Sequence, residues 1–300
     1  MAAPLSSEER AVPLYYQKSL DSLPAPRLDG VQKQFFKDQT GITDDEELVR
    51  YIVDLRARAF AIHPYPCIRM FAFTTLKILR NFAYEQFLHL GATRQGAIFI
   101  DIGCCFGTDV RKAIADGYPP ENVVAADLQK GEYNGTQSTP ETFPVPFVQG
   151  DAFDPATLAI VPPVDGSHPL LTPHPDLKPL TSLNPLHGRV SAIHAASLFH
   201  LFSQEKQIHL ARAMAGLLSP ESGSMIFGEQ VSQPVTGEYF LGKIGEDPMF
   251  CQSPESWEQM WVRIFGEGVV KVETDLREVP KPDFCTIPLP LSTQSHSAIR

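Results

Sequence analysis

The stretch AIFIDIGCCFGTDVRKA, from Ala97 to Ala113, decides the fold. Its apolar run ends on Asp101, Gly103 and Gly107 follow, and the remaining residues have a helical pattern. In a parallel sheet, ligands bind at the carboxyl ends of the strands, where a glycine-rich turn leads into the N-terminus of a helix. The stretch therefore predicts a nucleotide-binding turn.

The spacing of this turn discriminates between nucleotides. The dinucleotide fingerprint, G-x-G-x-x-G, has three glycines that let a pyrophosphate lie against bare backbone. Here the spacing is D-x-G-x-x-x-G, with Cys104, Cys105 and Phe106 inside the turn. Side chains of this size disfavour a pyrophosphate, and the carboxylate of Asp101 suits a ligand with a cationic amino group.

Two further acids follow strand patterns. Asp127 ends NVVAAD, twenty residues after Gly107, where a carboxylate can accept hydrogen bonds from both hydroxyls of a ribose. Asp151 ends PFVQGD, and the next two residues, Ala152 and Phe153, offer a surface for an adenine ring. A single Asp after a strand is often only a cap or a turn residue. Three such acids on successive strands favour a binding site.

The order of the elements predicts an α/β Rossmann-like fold. From residue 97 onward, apolar strand patterns alternate with helical ones, which implies right-handed crossovers and a mainly parallel sheet. Two helical patterns precede it. One begins with Thr43 and Glu46 at capping-box spacing, and the other spans residues 71–90.

We therefore expect an N-terminal arm and helical cap over residues 1–92 and a Rossmann-like domain over residues 93–292. Residues 160–188 contain seven prolines and no periodicity, so we expect a proline-rich loop insertion there. The last residues, 293–300, are expected to form a tail.

The composition narrows the classes of partner. The chain of 300 residues has 35 acidic and 25 basic side chains, a formal net charge of -10, and no basic stripe, which disfavours nucleic-acid binding. No apolar run reaches the roughly 20 residues that span a membrane. A small-molecule partner is favoured, and oligomeric state is left open.

The five cysteines indicate a reducing, cytoplasmic setting. Their number is odd, no C-x-x-C occurs, and no apolar leader follows Met1. The nine histidines show no metal-ligand spacing, so no metal is expected. Cys104 could have a lowered pKa near a helix N-terminus, but the absence of a partner motif favours packing over chemistry.

The sequence resembles the class I S-adenosylmethionine-dependent methyltransferases, and among them the fungal enzymes of meroterpenoid and polyketide biosynthesis. The resemblance covers most of residues 50–265. It is carried by RAFAIHPYPCIRMFAF, FIDIGCCFGTDVRKAIADGYPPENVVAADL, AIHAASLFHLF, GSMIFGEQVSQPVTGEYF and SPESWEQMW. It implies a Rossmann-like sheet with helices on both faces, an N-terminal helical cap, and S-adenosylmethionine as cofactor.

The resemblance also implies the role of each candidate residue. The methionine end of the cofactor would be held at Asp101, Gly103, Cys104 and Gly107. The ribose would be held at Asp127 and Leu128, and the adenine at Asp151, Ala152 and Phe153. The segment from His194 to Ser197, including Ala195, would flank the methyl donor.

The expected reaction is methyl transfer to an oxygen of a small apolar natural product. A carboxylate acceptor is the first choice because it is already ionised at neutral pH and no convincing base stands out. A phenol is the second, and His200 is the candidate base for it. A packed helix residue is an equally open interpretation of His200.

Two other classes of function remain open. One is a nicotinamide-dependent oxidoreductase on the same topology, which the three-residue gap between Gly103 and Gly107 disfavours. The other is a methyltransferase fold that only binds a partner, which the presence of all three acids disfavours.

Overall fold

A computed structural model of the chain describes residue 20 and residues 23–129, 145–165, 175–239, 248–279 and 291–300. The helices in this part are α1 (Gly30–Thr40), α2 (Asp45–Ile62), α3 (Pro66–Arg69), α4 (Lys77–Arg80), α5 (Tyr84–Thr93), α6 (Thr108–Ala115), α7 (Gln204–Leu217) and α8 (Pro254–Phe265). The strands are β1 (Ile98–Ile102), β2 (Val123–Asp127), β3 (Phe147–Gln149), β4 (Val190–His194), β5 (Met225–Ser232), β6 (Gly237–Tyr239), β7 (Met249–Cys251), β8 (Lys271–Val279) and β9 (Leu291–Ile299).

The described strands form a seven-stranded sheet in the order β3-β2-β1-β4-β5-β9-β8, and β6 pairs with β7 in a separate hairpin. Strands β1 to β5 are parallel, whereas β9 runs antiparallel to both of its neighbours. The order reverses between β1 and β4, and a crevice for ligands forms at such a point. The predicted Rossmann-like architecture is confirmed.

Helices cover both faces of the sheet, as predicted. On one face, Leu210 of α7 and Trp257 of α8 pack with Ile100 and Ile226 of the sheet. On the other, residues of α5 and α6 pack around Phe99. Strands β1 and β4 of the parallel part are buried at every residue, which explains the nearly continuous apolar runs in their sequences.

The N-terminal helices have an apolar cluster of their own that includes Phe106 from the β1–α6 turn. Leu48, Ile52 and Leu55 of α2 are buried in this cluster, and Phe73 stacks on Phe106 with ring centroids 4.4 Å apart. The helical cap is therefore packed directly against the turn that was predicted to bind a nucleotide. Among the described helices, none combines the length and apolar content needed to cross a bilayer.

The start of α2 differs by one residue from the prediction. Asp44, not Thr43, is the N-cap, and its carboxylate accepts a hydrogen bond from the backbone N–H of Glu47. The two candidates are adjacent, and both satisfy the spacing that marks a helix start. A carboxylate is also favoured at the positive end of the helix dipole.

The helix predicted over residues 71–90 is interrupted. Phe71 has a left-handed backbone with φ of 56°, and the chain is extended at Thr75 and again at Asn81. The Asn81 side chain accepts a hydrogen bond from Ala83 N–H and donates one to the carbonyl of Gly228 on β5. These polar contacts end one helix and position the next, and apolar periodicity does not detect them.

Most of the predicted tail is a strand. Residues 293–299 belong to β9, which lies between β5 and β8 and pairs with both along its length. Its His296 and Ala298 are buried. The sequence LSTQSHSAI is small and polar, so it lacks the apolar alternation from which an interior strand is usually predicted.

The proline-rich stretch over residues 160–188 is described except for 166–174. Leu177, Leu183 and Leu186 in this stretch are buried against the sheet, and Asn184–Leu186 forms a short 3-10 turn. The described part of the loop therefore contributes to the core.

Candidate active site

The carboxyl ends of β1, β2 and β4 lie side by side. Asp101 is in register with Ala125 of β2 and with His194 of β4. A cavity of about 40 Å³ opens above these ends, between the sheet and the N-terminal helices. Its described lining is Ala72, Phe73, Thr75, Lys77, Asp101, Gly103, Cys104, Cys105, Phe106, Thr108, Asp109 and Ala196.

The turn after β1 needs glycine at two positions. Gly103 and Gly107 have φ of 76° and 69°, the left-handed region in which a side chain is strained. A Cβ at Gly103 would also lie 3.0 Å from Leu198 Cδ1, which is too close for an unshifted side chain. Glycine at position 103 therefore lets the turn pack closely against Leu198.

The carboxylate of Asp127 holds this turn in place. Its Oδ2 accepts a hydrogen bond of 2.8 Å from Cys105 N–H, and its Oδ1 accepts one of 3.0 Å from Gln129 N–H. Burial raises the pKa of Asp127, although the hydrogen bonds from these amides partly offset the effect. Each oxygen keeps a lone pair, so the carboxylate can still accept two hydroxyl hydrogens.

The carboxylate of Asp101 forms a buried pair with an imidazole. Its Oδ1 lies 2.8 Å from Nδ1 of His194, and both side chains are almost fully buried. Burial lowers the pKa of His194, but the charge and hydrogen bond of Asp101 outweigh it and raise that pKa above its ordinary value. The imidazole Nε2 has no hydrogen-bond partner among the described residues.

A second buried acid and a lysine complete the charged lining. Asp109, in the first turn of α6, accepts a 3.0 Å hydrogen bond from the backbone N–H of Ile78. Burial raises the pKa of Asp109 to about 6. Lys77, the neighbour of Ile78, is half-buried and lines the same cavity from the N-terminal side. The cavity thus contains both signs of charge.

The side chains after β3 form a more open surface. Asp151 is exposed, and its carboxylate accepts a hydrogen bond from Phe153 N–H two residues further on. The Phe153 ring packs edge-on against Phe202, and Lys206 Nζ lies 5.0 Å from its centroid. Ala152 and Leu128 are also accessible, and Leu128 is 47% exposed.

His200 is buried behind the cavity and does not line it. Its Nδ1 accepts a 3.3 Å hydrogen bond from Val231 N–H. Burial, with a smaller effect from the charge of Lys77, lowers the pKa of His200 to about 3. The neutral ring then has its proton on Nε2 and its only basic nitrogen occupied, which disfavours a role as general base.

The cysteines of the turn are also poorly placed for nucleophilic chemistry. Burial, together with the negative charge of Asp127, raises the pKa of Cys104 well above its ordinary value, so the thiol stays protonated. Among the described residues, no group of acids, histidines and cysteines has the arrangement of a metal site.

Comparisons with known proteins agree with one another. Residues 15–74 match the meroterpenoid methyltransferase N-terminal domain. The O-methyltransferase phiE of a fungal species is 28% identical, over 80% of this chain and 72% of its own length. The asnovolin E/chermesin D methyltransferase nvfJ of Aspergillus novofumigatus is 29% identical, over 73% of this chain and 70% of its own length.

This protein is a methyltransferase. A solved structure with S-adenosylhomocysteine, the Burkholderia thailandensis 1,6-didemethyltoxoflavin-N1-methyltransferase, is 12% identical with a TM-score of 0.45 and covers 93% of each chain.

The strand ends of the methyltransferase carry charged side chains. Asp127 holds its carboxylate at the end of β2, where Oδ1 accepts the hydrogen bond from Gln129 N–H. The lining of the cavity contains Asp101, Asp109 and Lys77, and so includes both signs of charge. Ala195 is buried and donates its N–H to Phe227 O, while the next residue, Ala196, lines the cavity.

Two charged side chains in the cavity lining, Asp109 and Lys77, are not among the residues that the sequence analysis selects, and a contact of His194 is missing from it. Asp109 follows Gly107 by two residues, so an acid in the first turn of the helix was a signal that could have been used. His194 was placed near the methyl donor, but its pairing with Asp101 was not foreseen. Lys77 lies within residues 71–90, where the sequence pattern predicts a helix without interruption.

Proposed function

We propose that this methyltransferase transfers the methyl group of S-adenosylmethionine to an oxygen of a small apolar natural product, with a carboxylate preferred and a phenolic hydroxyl second. The names of the relatives support the class of acceptor. The matching domain model is that of meroterpenoid methyltransferases, and one relative is an O-methyltransferase. Leu79 and Phe82, which follow Lys77 in the sequence, are exposed apolar side chains and suit an apolar acceptor.

The state of His200 is the observation that favours a carboxylate over a phenol. A phenol has a pKa near 10 and benefits from a base in the transition state, whereas a carboxylate is already ionised at neutral pH. His200 was the candidate base, and its basic nitrogen is occupied by Val231 N–H. A carboxylate acceptor does not require His200 to act as a base.

The cofactor residues are assigned within the same proposal. Asp101, Gly103, Cys104 and Gly107 would surround the methionine end, Asp127 and Leu128 the ribose, and Asp151, Ala152 and Phe153 the adenine. Ala195 would lie beside the methyl group. The boundary between cap and sheet domain would fall near residue 93, with the domain extending through β9.

When bound, S-adenosylmethionine supplies a methyl group on a positively charged sulfur, which is already a good electrophile. The protein has to orient the acceptor oxygen towards that methyl group and exclude water. The β1–α6 turn and the helices packed on Phe106 are suited to both tasks, because the turn is bonded to Asp127 and the ring of Phe73 packs against Phe106.

A methyl-transfer assay with labelled cofactor tests the proposal. Apolar carboxylic acids and phenols of matched size are offered to the purified protein, and ester and ether products are separated by their lability to base. Transfer to acids and not to phenols is expected. Calorimetry with S-adenosylhomocysteine is the independent control, because a chain that binds none of it would be a non-catalytic relative.

A further inference from the structure

We infer that Lys77 binds the α-carboxylate at the methionine end of the cofactor, while Asp101, which lines the same cavity from the sheet, receives the ammonium. The two charges of one amino acid would then be held by two parts of the protein, the N-terminal helices and the sheet. This inference rests on the proposed function, since it assigns a residue to the same cofactor site.

The position of Lys77 is fixed by contacts on both sides of it. The next residue, Ile78, donates its backbone N–H to Asp109 on α6 over 3.0 Å. At the other end of the short helix, Asn81 donates its side-chain N–H to Gly228 on β5 over 2.7 Å. The helix that carries Lys77 is therefore bound to the sheet domain, and the lysine is held over the cavity rather than above a mobile loop.

The ammonium of Lys77 is available for a ligand. Within the described ranges it forms no ion pair with a carboxylate. It is nevertheless close enough to Asp109, His194 and His200 to act on them electrostatically. Asp101 uses one oxygen for His194 and lines the cavity, which leaves its second oxygen for an incoming ammonium.

The backbone of the turn cannot easily replace Lys77. A carboxylate at a strand-to-helix turn is often held by free N–H groups. Here the N–H groups of Gly103 and Cys104 both donate to Ala126 O, and the N–H of Cys105 donates to Asp127. Gly107 N–H donates to Cys104 O. Four of the amides that would face the ligand are therefore already used.

No other cation can take this role among the described lining residues, because Lys77 is the only basic side chain in that lining. Without a counter-ion, the carboxylate of a ligand beside Asp101 and Asp109 would be destabilised by its loss of hydration and by repulsion from the two acids. With Lys77 present, the carboxylate of a zwitterion has a counter-ion, and its ammonium can face the acids. The charge pattern of the site thus selects an amino acid rather than a phosphate.

Calorimetry with two nucleosides tests the role of Lys77. S-adenosylhomocysteine carries the amino-acid end, and 5′-deoxy-5′-methylthioadenosine has the adenosine part without it. We expect Lys77→Met to weaken the binding of S-adenosylhomocysteine by about 10- to 100-fold, the usual range for a charged hydrogen bond. Binding of methylthioadenosine should change less than about twofold, because its contacts do not include Lys77.

Matched variants separate this role from a structural one. Arg80→Met removes a cation from the exposed end of the same helix and should affect neither nucleoside. Lys77→Arg keeps the charge and should recover part of the lost affinity. If Lys77→Met unfolds the protein, Lys77→Gln serves in the same two titrations.

The remaining outcomes overturn the inference in different ways. Equal losses for both nucleosides would mean that Lys77 only supports the fold. Unchanged affinity for S-adenosylhomocysteine with a higher KM for the acceptor would mean that Lys77 binds the carboxylate of the acceptor instead. A wild-type protein that binds neither nucleoside would refute the proposed function itself, and the inference with it.

Discussion

At the end of β1 the side chains that face the cavity are buried and bonded to one another, whereas at the end of β3 the corresponding side chains are exposed and bonded to their own loop. Asp101 is paired with His194 beneath the N-terminal helices. Asp151 accepts a hydrogen bond from Phe153 N–H at the surface. The two acids have the same position in their sequence patterns but different surroundings.

Acids in similar sequence motifs can therefore contribute differently to folding stability and to binding. A buried charge depends on its partner, because removal of one member leaves the other desolvated and unpaired. An exposed carboxylate is compensated by water when a ligand is absent. Substitutions at the inner end should therefore affect folding as well as binding, and substitutions at the outer end should affect binding alone.

The largest effect is expected for His194→Phe. This change leaves the carboxylate of Asp101 buried without its partner, and we expect the free energy of unfolding to fall by about 3–5 kcal/mol. Because the pKa of His194 is raised in the folded protein, the stabilisation from its protonation is complete below the ordinary pKa and is lost as the pH rises through the raised value. Urea unfolding between pH 6 and pH 9 measures both effects.

The exposed His89 on α5 offers a control for this substitution. His89→Phe should change the free energy of unfolding by less than about 0.5 kcal/mol. If His194→Phe is as stable as the wild type at pH 6, the buried pair contributes no stability and the contrast between the two ends is wrong.

Asp109→Asn should have the opposite sign. Burial raises the pKa of Asp109 to about 6 from an ordinary value of 3.8, so ionisation of this carboxyl destabilises the folded state as the pH rises from about 4 to 6. The amide can still accept the hydrogen bond from Ile78 N–H. We expect the variant to gain about 2–3 kcal/mol relative to the wild type at pH 8 and little at pH 4.

Thermal and urea unfolding at both pH values measure this gain. Asp54→Asn removes an exposed acid that pairs with Arg58 on α2, and it should show almost no pH-dependent difference. A loss of stability for Asp109→Asn at pH 8 would show that a charge on Asp109 is required by the fold.

The sequence predicted the positions of the acids well, and the reason is geometric. Carboxyl ends of neighbouring parallel strands lie at one edge of a sheet, so acids that end such strands must approach the same crevice. Asp101 and Asp127 do so, with Asp127 bonded to Cys105 of the turn that Asp101 begins. This part of the site depends only on local patterns and on the parallel order.

The partners of these acids could not be predicted in the same way. Asp101 and His194 are separated by 93 residues, and they meet because β4 lies beside β1 in the sheet. Lys77 reaches the cavity because the chain leaves the helical path at Thr75 and Asn81. Such contacts depend on tertiary packing, which no periodicity of the sequence records. The strand β9 was missed for the related reason that its residues are small and polar.

The variants Asp127→Ala and Asp151→Ala compare a half-buried acid at the end of β2 with an exposed acid after β3. The quantity compared is the affinity for S-adenosylhomocysteine. Asp127 can accept hydrogen bonds from both ribose hydroxyls, so its loss should weaken the binding of S-adenosylhomocysteine by about 1–3 kcal/mol. Asp151 is exposed, and its loss should cost less than about 1 kcal/mol. Calorimetry at one pH measures both, with unfolding curves to correct for stability.

Asp127→Ala and Asp151→Ala could also weaken binding equally in this test. Equal losses would mean that exposure in the free protein does not predict the contribution to binding, and that the adenine end closes around its ligand. If Asp127→Ala binds S-adenosylhomocysteine as tightly as the wild type, the carboxylate of Asp127 does not hold the ribose.

The smallest effect is expected for His200→Gln, and it decides how the acceptor is activated. A general base contributes about 10²- to 10⁴-fold to a rate, so loss of one is easily seen. The glutamine oxygen can accept the hydrogen bond from Val231 N–H, and we expect kcat to change by less than about threefold with no new slope in the pH profile between 7 and 9. By contrast, His200→Leu leaves that amide unpaired and should lower stability by about 1–3 kcal/mol without a matching loss of kcat. A 100-fold drop in kcat for both variants, with normal binding of S-adenosylhomocysteine, would assign a base to His200 and make a phenol the better acceptor.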